Sequence, residues 1–392
     1  MALPNVKIEV SSNSLGRVAT VDDTVCALVL SGPAATSLAQ NVAARVFSLT
    51  GAEALGITSS THTHAWGQIG DFFAVSGNEA ELWIMLVPDT TTAAQICATN
   101  GPLYNVIAAS AGRVTLAAFS MRRASGYSPG TAYFDYDLAA VGGLAQTIAN
   151  GFAALYAPVR IILEGSYLNA TKFNTGDAFP AYKGIGDRVA VFCGAQASGD
   201  RHACMGRFMG WLAAYSIETH PGRVKNGAFL GQGYLTTGVA IEKYTESQIA
   251  SLSDAGVMTL RYFNGRGGSY VTDDPTFAAS NSDYSSLARG RVMDKAVRLT
   301  YVTYTYEVND TIDVNDDGTL KATQVAYLRA QIETALTEGM VAEGNITAVS
   351  CYINPKQNVL ANDKIEMQVG IRPKGYKKYI TAKLGFTNPA NQ

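Results

Sequence analysis

From residue 80 onward, apolar runs of strand length alternate with runs of helical period, and that order restricts the fold more than any other feature. ELWIMLV (81–87), RVTLAAFSM (113–121), VRIILEGS (159–166) and RVAVFCG (188–194) read as buried strands. Between and after them, TTTAAQICAT (90–99), DLAAVGGLAQTIANGFAALYA (137–157) and HACMGRFMGWLAAYS (202–216) read as helices. The longest of these carries Leu138, Val141, Leu144, Ile148, Phe152 and Leu155 on one side. Strands that alternate with helices predict an α/β domain built on a mostly parallel sheet. VCALVL (25–30) adds an earlier strand, and the segment 37–48 is expected to be helical.

Past residue 260 the pattern changes. YFNGRGGSYVTDDPTF (262–277) is rich in turn residues and marks a boundary. DYSSLARGRVMDKAVRLT (283–300) predicts a helix running into a strand, YVTYTYEV, with Val302, Tyr304, Tyr306 and Val308 on one face. A turn, DVNDDG, precedes a helix marked by Val325, Leu328, Ile332, Leu336 and Met340. Two alternating strands close the chain: Ile365, Met367, Val369 and Ile371 on one, then Ile380, Ala382, Leu384 and Phe386 on the other, with RPKGY between them. At the opposite end Val6, Ile8 and Val10 alternate with Lys7 and Glu9, which predicts a terminal strand. The expected fold class is therefore α/β plus α+β. An arm (1–22) leads into an α/β domain (23–261), a mixed α+β domain (262–375) and a closing strand and arm (376–392).

The charge coat is thin. Hydrophobic residues make up 47% of 392 and charged residues 16%, with a net charge of −2. Such a surface suits burial against partners. It carries no whole-chain electrostatic footprint for nucleic acid or anionic membrane. The five cysteines, at 26, 97, 193, 204 and 351, are odd in number and contain no CxxC pair, which predicts reduced thiols in a protein assembled in the cytoplasm. MALPNVKIEVSS lacks the apolar core of a signal peptide, and the apolar runs are too short to span a bilayer.

Chemical motifs are sparse. DVNDDGTLKATQ (313–324) resembles a calcium loop: Asp313, Asn315 and Asp317 take the first ligand positions, and Gly318 the sharp turn. Gln324 stands where a bidentate Glu is required, and a strand is expected before the loop instead of a helix. A tight strand-to-helix turn is the better reading, with Thr319 or Thr323 capping the helix. GYSPG (126–130) matches the nucleophile elbow, but Pro129 has no N–H to stabilise an oxyanion. GIGD (184–187) and GRGG (265–268) complete no phosphate-binding motif and read as permissive loops. His62, His64, His202 and Cys204 could make a zinc-like tetrad if the fold gathered them, which nothing in the sequence requires. No cofactor is expected. An α/β enzyme or ligand-binding protein stands as the rival to a structural protein.

In this order the segments resemble the contractile tail sheath proteins of phages and phage-derived injection particles. MALPNVKIEVSSNSLGRV is similar to the sheath N-terminal arm. HAWGQIGDFFAVSGNEAELWIMLV (64–87) looks like an aromatic-rich helix before a buried strand, and GRFMGWLAAYSIETHPGRVKNGAFLG (206–231) like the stretch that closes the outer domain. Residues 262–386 follow the order of the sheath C-terminal domain. The resemblance implies six-fold rings of identical subunits stacked around an inner tail tube. The α/β domain would lie outward and the C-terminal domain inward. Baseplate and tail-terminator proteins would be further partners, and the protein would reside in a virion tail or extracellular particle. It implies that the terminal strands at Val6–Val10 and Ile380–Phe386 pair with neighbouring copies, as lone terminal strands need a sheet edge. Arg329 and Glu333, off the apolar stripe of their helix, are candidates to face the tube.

Overall fold

The computed structural model describes residues 21–77, 80–123, 126–127, 132–175, 179–180 and 182–385. Six strands form the main sheet: β1 (Cys26–Ser31), β2 (Ala43–Val46), β3 (Leu82–Val87), β4 (Leu116–Ser120), β5 (Arg160–Glu164) and β6 (Val189–Phe192), in the order β2-β3-β1-β4-β5-β6. All pairings are parallel except β2 with β3. The five parallel strands thus follow the doubly wound order in which the chain reverses direction between β1 and β4. β1, β4, β5 and β6 are buried along their whole length. Their continuous apolar runs are what a sheet covered on both faces requires.

Helices α1 (Thr63–Ser76) and α4 (Met205–Ala214) pack together against β1 and β4, while α2 (Pro102–Ala109) packs on β1 and β3 and α3 (Leu138–Ala154) on β5 and β6. Asp137 caps α3 by accepting from the amides of Ala139 and Ala140. The α1–α4 contact depends on glycine: a Cβ at Gly206 would stand 1.8 Å from the Gln68 carbonyl oxygen, and one at Gly210 2.4 Å from that of Phe72. The helix expected over 37–48 is absent. That stretch holds the edge strand β2, and a short helix follows at Leu49–Ala54. Antiparallel pairing with β3 overrode the local period.

β7 (Leu260–Tyr262) and β8 (Ser269–Val271) form a small antiparallel ribbon. Leu260, Val271 and Phe277 pack in the first core, so the packing boundary falls inside α5 (Leu287–Thr305) and not at 262. Leu287 belongs to the first core; Val292, Ala296 and Leu299 belong to the second, with Leu328, Ile332, Leu336 and Met340 of and after α6 (Ala322–Leu336). The strand expected at YVTYTYEV is a correction: α5 continues through it to Thr305. Thr303 and Thr305 donate their hydroxyls to the carbonyls of Leu299 and Tyr301, Tyr304 donates to the Leu328 carbonyl, and Tyr301 stacks on Tyr156. The alternating face at Tyr306 and Val308 is exposed, so no sheet rewards it. A strand that the periodicity does not reveal, β9 (Ile346–Ile353), pairs antiparallel with β10 (Met367–Pro373).

The charged face of α5 is buried between the cores. Asp294 binds Arg160 at 2.7 Å and Arg188 at 2.7 Å. Lys295 reaches Asp23, Glu343 and the Asn345 side chain. Arg298 donates to the carbonyls of Gly112, Val114 and Pro158, just before β4 and β5. Gly290 leaves room for the Arg160 guanidinium: a Cβ there would lie 2.2 Å from its Cζ.

Replacing Gly206 by Ala is expected to destabilise the fold by about 1–3 kcal/mol or more, because the neighbour it meets is backbone and must move. Urea unfolding followed by circular dichroism measures the change. Unaltered stability would contradict the close helix approach.

Candidate assembly interface

The fold brings some sequence candidates together and separates others. His64 and His202 meet, with ring centroids 5.4 Å apart. His62 instead bonds Thr61 and the Pro33 carbonyl, and the Cys204 thiol donates to the Gly194 carbonyl, so the tetrad does not form. All five cysteines are buried and free. Ser128 and Pro129 of GYSPG lie outside the described residues. The GIGD amides do form a cradle: Gly184, Ile185 and Gly186 all donate to the Phe277 carbonyl, which fills it. Gly265 and Gly268, both at positive φ, turn the chain between β7 and β8.

The 313–324 segment is a tight turn closed by a bridge between Val314 and Leu320, with Gly318 at φ +80. Asp317 accepts from the Thr319 amide and hydroxyl, and the Asn315 side chain donates to Thr319 and Leu320. Lys321 stands at the N-cap of α6 without a side-chain cap, so neither Thr319 nor Thr323 fills that role. Arg329 pairs with Glu333 at 3.0 Å. Glu333 also accepts from the Cys351 amide, which closes the outer edge of β9 at that point and lowers the Glu333 pKa.

At the carboxyl ends of β4 and β5, where doubly wound folds place ligands, lies a sealed polar cluster. His64 Nε2 is 3.0 Å from Ser120 Oγ, and Ser120 donates to Glu164 Oε1 at 2.9 Å. Glu164 also accepts from the amides of Met121 and Ala203, and His202 Nδ1 lies 3.8 Å away. Burial raises Glu164 to about 8 and lowers His64 to about 3 and His202 to about 4. The three therefore sit neutral at pH 7. The residues match a Ser-His-acid set, but the carboxyl bonds the serine instead of orienting the histidine, and Ser120 has no exposed surface. The open groove on this lobe, about 620 Å³, is lined by 47–50 with Gly70, Phe73 and Ala74 and has no titratable side chain. Chemistry and access lie in different places.

The C-terminal region is open in a different way. Among the described residues β10 pairs with β9 alone, and its other edge has no strand partner there. Beyond it, residues 374–378 are clasped to the body. Lys374 pairs with Glu218, Tyr376 donates to the Glu218 carbonyl at 2.8 Å, and Lys378 binds Asp273 at 2.6 Å. His220 Nε2 joins the clasp at 2.9 Å from Asp273 and 3.1 Å from Asp274. Burial alone would lower His220; hydrogen bonds to the two carboxylates overcome it and carry the pKa to about 9. Asp274, fully buried, accepts from Ser286 and the Ala288 amide as well, tying the clasp to the start of α5. Among the described residues, His220, Asp273 and Asp274 are the one trio near enough to share a cation, and Lys378 already neutralises it.

After Lys378 the chain leaves the body. Residues 379–385 form no strand and join no backbone–backbone hydrogen bond with other described residues. Tyr379, Ile380 and Leu384 are 93%, 81% and 97% exposed. Among the described residues the segment through Ile380, Ala382 and Leu384 has no strand partner; Phe386, like Val6, Ile8 and Val10, lies outside the described residues. Exposed apolar side chains and open sheet edges are features through which chains associate.

Two family models match: DUF2586, N-terminal domain, over residues 3–275, and DUF2586, C-terminal domain, over 283–391. No curated protein matches the chain. Among solved structures, the helical sheath of the anti-feeding prophage in its contracted state is similar over 98% of this chain and 99% of that one, at 15% identity and TM-score 0.64. A chain of the anti-feeding prophage baseplate is similar over 99% and 100%, at 15% identity and TM-score 0.62. The contracted sheath of an extracellular contractile injection system, PVC, is similar over 100% and 99%, at 13% identity and TM-score 0.63. These likenesses establish a shared fold along the whole chain.

Two outcomes follow from the clusters. Glu164 is neutral in the fold and ionised when unfolded between about pH 4.5 and 8, so its contribution to stability is present at low pH and lost as pH rises through that window. Glu164→Gln should lower the melting temperature overall, because one amide loses its acceptor, and should flatten the decline between pH 6.5 and 8. An unchanged decline in thermal melts would contradict a neutral Glu164. Asp274→Ala should cost about 3–5 kcal/mol by stranding His220, Lys378 and the start of α5, with Asp274→Asn costing less. Denaturant titration of both variants decides this.

Proposed function

The chain belongs to the DUF2586 family, and from that premise we propose that it is the subunit of a contractile tail sheath. Copies would polymerise as stacked six-fold rings around an inner tail tube, end on a baseplate and a terminator, and shorten to drive the tube through a target envelope. The fold shared with sheath chains over the full length supports this reading. The observation that carries it is the combination of a β10 edge and an exposed segment, 379–385, that have no strand partner among the described residues.

A strand laid on an open edge gains main-chain hydrogen bonds, and alternate side chains fix its register. Ile380, Ala382, Leu384 and Phe386 are the proposed donor face, with Val6, Ile8 and Val10 as donors from the other terminus. Each body passes its arm to one neighbour and takes the arm of another, so each contact is head-to-tail. Such contacts build rings or helices instead of closed pairs. The Asp273–Lys378 clasp fixes where the arm departs and lets the outer segment follow a neighbour as subunits rotate. In this reading the α/β lobe faces outward and the 287–373 body faces the tube. Arg329 is the proposed tube contact on α6, because Glu333 is turned toward Cys351. A difference of only roughly 2–5 kcal/mol per subunit between extended and contracted lattices suffices when many copies switch together. The particle would be a virion tail or a secreted injection device.

The full chain is expected to form hollow striated tubes by negative-stain microscopy. A variant ending at Lys378 should fold, sediment as a monomer and form none; a variant lacking residues 1–12 should form short or irregular tubes. Regular full-length tubes from the Lys378 truncation would overturn strand donation. A parent protein that stays monomeric and melts at a ligand-dependent temperature would overturn the sheath reading.

A further inference from the structure

The seam between the two cores encloses a small cavity of about 10 Å³, lined by Asp23, Thr115, Arg291, Asp294, Lys295 and Arg298. That is about the room needed by one particle the size of a water molecule. Its lining is electrically lopsided. Asp294 is already shared by Arg160 and Arg188. Lys295 directs its ammonium at Asp23, Glu343 and Asn345. The Thr115 hydroxyl donates to the carbonyls of Asp23 and Val25. Arg298 places its terminal nitrogens on backbone carbonyls, which accept hydrogen bonds but cancel no charge.

Arg291 has no ion pair at all among the described residues. Its Nε and Nη2 are buried without an acceptor, and so is Nε of Arg298. Asp23, Glu218 and Asp294 act on Arg291 through space without bonding it: Asp23 is held by Lys295, Glu218 is turned to Asn345 and Lys374, and Asp294 is shared by Arg160 and Arg188. The Cys26 thiol nearby is no counter-ion, since burial pushes it up to about 12. Two guanidinium groups with three nitrogens that lack an acceptor thus border a space that only a monatomic or water-sized species fits. A neutral water would satisfy geometry but leave the charge, and an uncompensated buried charge is the costlier defect.

We propose that this cavity binds one monatomic anion, chloride in ordinary solution, between the guanidinium groups of Arg291 and Arg298. The ion fastens α5 to the amino ends of β1 and β4 and so joins the two lobes. Larger anions such as sulfate or a carboxylate are excluded by size.

The test is thermal melting of the full chain at constant ionic strength in sodium chloride, bromide or gluconate. The melting temperature should rise with halide by about 1–3 °C per tenfold concentration above the dissociation constant, and gluconate should give no such rise. Arg291→Leu should abolish the halide dependence. Equal melting temperatures in all three salts, or a halide effect retained by Arg291→Leu, would overturn the site. Should that variant not fold, crystals of the parent grown in bromide decide the matter: an anomalous peak in the cavity supports the site, and no peak there, an ordered water only, refutes it.

Discussion

The molecule turns on a helix that carries charge inward. One face of α5 is apolar and belongs to the second core; the adjacent face presents Arg291, Asp294, Lys295 and Arg298 to the amino ends of the parallel strands. Buried ion pairs add little net stability over well-packed apolar contacts, because desolvation offsets most of the attraction. They do penalise every alternative docking angle, as each shift strands a charge. Asp294 between Arg160 and Arg188, and Arg298 on three carbonyls, therefore act chiefly as a register for the two lobes. For a subunit proposed to pass force from an inner body to an outer one, a joint that cannot slip is a physical requirement.

The opposite end of the sheet shows what has been closed off. Doubly wound sheets bind ligands beyond the carboxyl ends of their strands, at the point where strand order reverses. Here Ser120, at the end of β4, stands beside that reversal and donates to Glu164 at the end of β5, whose oxygens also take the Met121 and Ala203 amides. His64 and His202 cover it, and α4 lies close against α1 through Gly206 and Gly210. The cradle at 184–186 is filled in the same manner by the Phe277 carbonyl. Groups that in other proteins with this architecture bind substrates are here directed at the chain itself. Among the described residues, an open backbone hydrogen-bonding edge lies at the C-terminal ribbon.

That edge is a two-stranded ribbon, and such ribbons are marginal alone. Glu333 closes part of one side; the other is open. The clasp of His220, Asp273, Asp274 and Lys378 holds the departing chain to the start of the same helix that joins the lobes. The clasp and the buried seam thus form one continuous line of polar contacts from the α/β lobe to the exposed apolar segment.

The periodic runs alone were enough to read the parallel sheet, since strands covered on both faces must be apolar throughout, and β1, β3, β4, β5 and β6 stand where VCALVL, ELWIMLV, RVTLAAFSM, VRIILEGS and RVAVFCG place them. Helices with one apolar side, α3, α4 and α6, were legible for the same reason. Segments whose state depends on a neighbour were not. Residues 301–308 have the alternation of a strand yet extend α5, and 43–46 form an edge strand only because β3 lies beside them. β9, half-exposed and flanked by Asn and Gly, has no clear period. The meeting of His64, Ser120, Glu164 and His202, and the burial of Arg291, join residues far apart in the chain, and composition holds no trace of them. Hydrophobic periodicity is a local property and survives in the sequence; hydrogen-bond partners, enclosed charges and open edges are set by what lies across space, and only the tertiary structure decides those.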